Sequence, residues 1–159
     1  MKLSSQEEFG LRCLLQIARM GDGGSLTITE MSQREGISAP NVAKIMRILR
    51  RAGLVKSTRG KAGGYSLSRP AAELPVGEVL GSLGGRLYDA GFCDRHSGLE
   101  ELCLNNSDCS IRPVLRHIQE AVDQVLGRLT IQSLLRSERE VTLSMGPRAV
   151  PLPLSTRPS

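Results

Sequence analysis

Apolar residues recur at helical spacing through the first third of the chain and give way to a polar, Pro-rich stretch at its end. From Glu7 to Met20, Leu11, Leu14, Leu15 and Ala18 share one face, Ser4 or Ser5 can cap the start, and Gly21-Asp22-Gly23-Gly24 stops the run. A second, short helix begins at Thr27, with Thr27 and Glu30 at capping-box spacing and Ile28 and Met31 turned inward, and it ends at Gly36. Ser38 opens a third, in which Val42, Ile45, Met46 and Leu49 make the apolar stripe and Asn41, Lys44, Arg47 and Arg51 the polar face, with Gly53 as the stop. Short helices joined by Glu35-Gly36-Ile37-Ser38 predict a helix-turn-helix whose second helix can enter a major groove.

The period then changes. Leu54, Val55 and Lys56 read as a strand, Thr58 to Gly64 as a Gly-rich basic turn, and Tyr65-Ser66-Leu67 as the returning strand of a β-hairpin wing. After Pro70 and Pro75, PVGEVLGSLGG predicts a short helix, and Ala90 to Ser110 an irregular loop. From Ile111 onward, Val114, Leu115, Ile118, Val122, Val125, Leu126 and Leu129 keep the spacing of a long helix that needs a partner, so a homodimer is expected. The fold class is therefore mainly α with a small β-hairpin wing, a winged helix-turn-helix plus a long dimerisation helix. Residues 1–75 form the DNA-binding domain, 76–110 the short helix and cysteine-bearing loop, 111–140 the dimerisation helix and its C-terminal extension, and 141–159 a flexible tail.

Composition sharpens this picture at two points. Aromatics are scarce, with no Trp, 2 Tyr and 2 Phe, so the core must be aliphatic. The net charge of +5 is local: Lys44, Arg47, Arg50, Arg51, Lys56, Arg59 and Lys61 lie between Ser38 and Lys61 with no Asp or Glu among them. Such a stretch suits a polyanion, and double-stranded operator DNA is the expected partner. Ser38, Pro40, Asn41 and Lys44 are placed to reach base edges, Arg47 and Arg51 to touch phosphate, and Arg59 and Lys61 to sit at the wing tip against a minor groove. No apolar run approaches the roughly 20 residues that span a bilayer, and the opening residues lack a signal-peptide pattern, so a cytoplasmic protein with no membrane partner is expected.

The cysteines add chemistry. Cys13 lies inside the first helix and reads as a small core residue. Cys93, Cys103 and Cys109 share one polar loop, and their spacing is unlike the short pairs of a zinc ribbon. Thiolates completed by a non-Cys ligand can hold an iron–sulfur cluster, and the nearby donors are Asp94, His96, Glu100, Glu101, Asp108 and His117. A thiol-based or zinc-dependent redox regulator is the alternative. An enzyme, such as a small iron–sulfur redox protein, is disfavoured: the chain has His96 and His117 as its only histidines, no nucleotide-binding Gly loop and no nucleophile–base pattern.

Several segments over about residues 1–137 resemble the iron–sulfur winged-helix regulators of the IscR, NsrR and RirA type. They are MKLSSQEEFGLRCL, GISAPNVAKIMRILRRAGLV, the wing RGKAGGYSL, PVGEV, the loop cysteines and LTIQSL. The resemblance implies that Cys93, Cys103 and Cys109 bind a cluster, 4Fe–4S ahead of 2Fe–2S, that the long helix crosses a second copy, and that the cluster loop lies near the partner's first helix. The histidine that the IscR type places three residues after its last cysteine is Arg112 here. The NsrR type completes the site with a carboxylate early in the first helix of the other subunit. The matching residue is Glu8, with His96 as the alternative. The implied function is a DNA-binding transcription regulator in which cluster state controls operator affinity.

Overall fold

Caps decide where the helices begin. In the computed structural model, which describes residues 3–58, 60, 63–95, 103 and 108–146, Ser4 caps helix α1 (Ser5–Ala18) and Thr27 caps α2 (Ile28–Glu35). Both form capping boxes, with Glu7 and Glu30 reaching back to the cap backbone. Gly36 ends α2 in the left-handed conformation, φ 65°, and turns the chain into α3 (Ala39–Arg51). Ser32 Oγ donates to the Ile37 carbonyl at 2.6 Å and ties this turn down.

Strands β1 (Val55–Thr58) and β2 (Gly64–Leu67) pair antiparallel, with Val55 opposite Leu67 and Thr58 opposite Gly64. Leu26 bridges to β2 as well: its N–H donates to the Tyr65 carbonyl at 3.0 Å and its carbonyl accepts from the Tyr65 N–H at 2.8 Å. Here a glycine is required by close approach, because a Cβ at Gly64 would stand 2.8 Å from the Leu26 oxygen. A short 3-10 turn (Ala71–Glu73) then leads into α4 (Val76–Gly84).

The core is a single aliphatic cluster. Cys13, Leu14 and Ile17 of α1, Met31 of α2, Val42, Ile45, Met46 and Leu49 of α3, Val55 of β1 and Val79 and Leu83 of α4 are all buried in it. One member comes from far along the chain. Helix α6 (Ile111–Leu126) ends before Gly127, and the chain then re-enters the head: Val76 N–H donates to the Leu129 carbonyl, Ile131 N–H donates to the Leu74 carbonyl, both at 2.9 Å, and Ile131 is fully buried.

Two expectations are corrected. The cysteine loop is not wholly irregular, since Phe92–Arg95 form a one-turn helix, α5. Residues 141–144, expected in a flexible tail, are helical instead, because a further 3-10 turn (Gln132–Leu135) is followed by α7 (Glu138–Ser144); the rest of that expected tail, from 147, lies outside the described residues. Ser137 and Glu140 form a third capping box there, a spacing legible in the sequence as Ser-x-x-Glu.

Candidate nucleic-acid interface and metal centre

The amphipathic pattern of α3 dictates its two faces. Val42, Ile45, Met46 and Leu49 anchor it in the core, which forces Pro40, Lys44, Arg47 and Arg51 to solvent along a common stripe. Asn41 is exposed on its flank, and Ser38 is exposed at the N-cap. Ser38 makes no side-chain capping bond, and α3 has no acidic residue in its first turn. Residues 38–41 are all exposed, so this helix start is open to a phosphate or base edge.

Between α3 and the wing runs a cleft of about 330 Å³ lined by Pro40, Ala43, Lys44, Arg47, Arg50 and Tyr65. Sequence reasoning left Arg50 and Tyr65 out of this surface. Arg50 reaches from the last turn of α3 to Ser57 Oγ of β1 at 3.3 Å, so it links the reading helix to the wing. Its signal was the unbroken basic run; Tyr65 had none, since its place beside α3 depends on where the hairpin folds back. At the wing tip Gly63 N–H donates to the Gly60 carbonyl at 2.8 Å. The expected contacts Arg59 and Lys61 lie outside the described residues.

Behind this surface a polar clamp sets α1 against α2. Arg12 Nε donates to Glu35 at 2.6 Å and Arg12 Nη2 to the Glu35 carbonyl at 2.7 Å, while Gln16 also donates to the Glu35 carboxylate. Burial pushes the Glu35 carboxyl up, but the hydrogen bonds from Arg12 and Gln16 outweigh it and hold the group below its ordinary value.

The thiols divide into two environments. Cys13 is fully buried, and desolvation pushes it up to about 11, which makes it an inert core residue. Cys93 on α5, Cys103 and Cys109 are half-exposed and free of disulfides. Cys109 stands just before α6, where its carbonyl accepts from Arg112 N–H at 3.3 Å. Among the described residues no three Cys, His, Asp or Glu side chains gather as a ready metal site. The donor set suits an iron–sulfur cluster in kind, with soft thiols on one excursion. Glu8 is exposed on α1 and pairs with Arg12 at 3.4 Å. His96 lies outside the described residues.

Helix α6 carries two stripes. Leu115, Gln119, Val122 and Leu126 are covered to varying extents, whereas Ile111, Val114, Ile118 and Val125 are 64%, 57%, 41% and 49% exposed. None of the helices among the described residues is long and apolar enough to cross a membrane.

The helix-turn-helix, the hairpin wing and the basic cleft between them define a winged-helix DNA-binding regulator. The chain matches the family model described as "Rrf2: Iron-dependent Transcriptional regulator" over residues 3–137, and it belongs to the Rrf2 family. It is 33% identical to Protein rrf2 of Nitratidesulfovibrio vulgaris over 136 residues, 86% of this chain and 88% of that one. Among solved structures it is similar to T. potens IscR, with a TM-score of 0.66, 26% identity and coverage of 85% of this chain and 86% of that one. It is also similar to CymR of B. subtilis, the global cysteine regulator, with a TM-score of 0.67, 25% identity and coverage of 85% and 96%. Homologues and fold neighbours are DNA-binding transcriptional regulators, not enzymes.

Proposed function

We propose that this Rrf2-family regulator works in the cytoplasm as a homodimer on double-stranded operator DNA, and that its affinity depends on an iron–sulfur cluster held by Cys93, Cys103, Cys109 and Glu8 of the partner subunit. The observation that carries this proposal is the construction of α6. Its N-terminus adjoins Cys109, its outward stripe of Ile111, Val114, Ile118 and Val125 has no cover within the described chain, and its C-terminal end feeds Ile131 into the core of the DNA-binding head. One helix therefore links the thiols, a second copy and the reading surface.

Each part has a defined role. Ser38, Pro40, Asn41 and Lys44 face base edges, Arg47 and Arg51 neutralise phosphate, and Arg59 and Lys61 serve the wing. The exposed apolar stripe of α6 pairs with its copy, which sets the spacing of two heads on adjacent half-sites. A bound cluster supplies a redox- and ligand-sensitive centre, and the carboxylate corner is its most exchangeable position. Coupling of about 1–3 kcal/mol between that centre and DNA would shift affinity roughly 5- to 150-fold.

The test is anaerobic purification with iron and acid-labile sulfide counted per subunit, followed by operator titration of the loaded and metal-free protein at one salt concentration. Iron and sulfide bound through the loop thiols, with unequal affinities in the two states, is the expected result. Likeness to CymR favours a second reading, a thiol-based regulator without iron. Zinc, or a reversible disulfide with no iron, establishes that reading instead.

A further inference from the structure

The face of α6 turned toward its own head contains one residue that apolar packing does not explain. Gln119 is 6% exposed and stands in line with Leu115, Val122 and Leu126, where another leucine would bury more apolar surface. Both ends of its amide are used. Its Oε1 accepts from the Tyr88 N–H at 3.1 Å, and its Nε2 donates to Asp123 Oδ1 at 2.9 Å. The other Asp123 oxygen takes the Arg86 guanidinium. Residues 86–88 are thus clasped to α6 by polar groups from both sides.

Packing here is incomplete. An apolar pocket of about 390 Å³ lies among Leu3, Leu80 of α4, Leu87 and the α6 side chains Val122 and Leu126, so residues 85–88 are not close-packed on that side. Downstream of the clasp every step is short. The Tyr88 ring meets Phe92 at 5.4 Å between centroids; Asp89 accepts from Gly91 N–H at 2.9 Å, its carbonyl accepts from Phe92 N–H at 3.0 Å, and Arg95 donates to both of its carboxylate oxygens at 3.0 and 2.9 Å. Cys93 rides on that turn.

We infer that Gln119, with Asp123 and Arg86, is the positioning residue for Cys93: it sets the place of the α5 turn on α6, and so ties the first thiol to the helix whose other face seeks a second copy. The inference deepens the proposed cluster site and rests on Cys93 being one of its ligands, but its test does not need the cluster. In the reduced, metal-free full-length protein, alkylation by iodoacetamide is followed at each cysteine by mass spectrometry. Gln119→Leu, which keeps helix and volume, frees the turn and speeds labelling of Cys93 about fivefold, the population shift that one net hydrogen bond is worth. Labelling of Cys103 and Cys109 changes less than about twofold. Asp123→Ala, which removes the other half of the clasp, gives the same selective acceleration at Cys93. Unchanged Cys93 labelling in either variant, or equal acceleration at all loop thiols, overturns the inference. Absence of iron in the wild-type protein overturns the cluster proposal and leaves this test intact.

Discussion

The winged head and the α6 arm with its cysteine excursion are built on opposite terms. In the head, α1 to α4 and the hairpin bury a continuous aliphatic core, and even its polar clamp is closed within one subunit by Arg12, Gln16 and Glu35. In the arm, α6 has Gln119 as its only buried residue and holds Ile111 and Val114 more than half exposed. The head is complete as a single chain. The arm presents an apolar stripe and thiols that no described residue covers, the kind of surface on which the proposed dimer and cluster would be built.

The contrast breaks most visibly through the core. Leu49→Ala in α3 should cost about 2–5 kcal/mol in denaturant unfolding, because it opens a cavity under the reading helix. A change on the arm should leave that midpoint nearly untouched. Ile118→Glu puts a charge on the uncovered stripe, and sedimentation should find monomers whose operator affinity is lower by about 10²-fold or more, since two linked heads become one. Dimers at wild-type strength would show that α6 pairs through another face.

Smaller effects test the head's details. Gly64→Ala forces a Cβ against the Leu26 carbonyl and should cost about 1–3 kcal/mol while weakening DNA binding through the displaced wing. Arg47→Ala should leave stability unchanged and reduce the slope of log affinity against log salt by about 1. A slope equal to wild type removes Arg47 from the phosphate contacts.

The pH response separates the regions too. Glu35 is held below its ordinary value in the folded state, so its contribution is complete above about pH 4.3 and is lost as pH falls through the depressed folded value. Wild type should lose stability on that acid limb faster than Glu35→Gln. At pH 8 Cys13, raised to about 11 and fully buried, should resist alkylation until the head unfolds, whereas the loop thiols react in the native state. Labelling of Cys13 in the native protein would show that α1 opens locally.

Much of the head was legible in the sequence because its signals are local. Thr27-x-x-Glu30 and the glycine at position 36 set helix ends, and the spacing of Val42, Ile45, Met46 and Leu49 left Lys44 and Arg47 no face but the outer one. The arm was legible only as periodicity. That pattern identified an apolar stripe but could not say that α6 stops at Leu126, that Ile131 returns to the core, or that Gln119 is buried, since each depends on a backbone bond or contact with residues 74–76 or 88. The α5 turn escaped notice because Phe92–Arg95 is too short to show a period and is held by Asp89 and Arg95.

By itself, then, the sequence determined helices α1 to α4, the wing, the basic outer face of α3 and the place of Cys13 in the core, all of which follow from residue type within a few positions of chain. Tertiary structure alone decided that Arg50 and Tyr65 border the cleft between α3 and the wing, that Ile131 returns to the core of the head and that Gln119 is buried. The physical reason is range: caps and periodicity act over a helical turn or two, whereas burial and donor geometry depend on which distant segments meet.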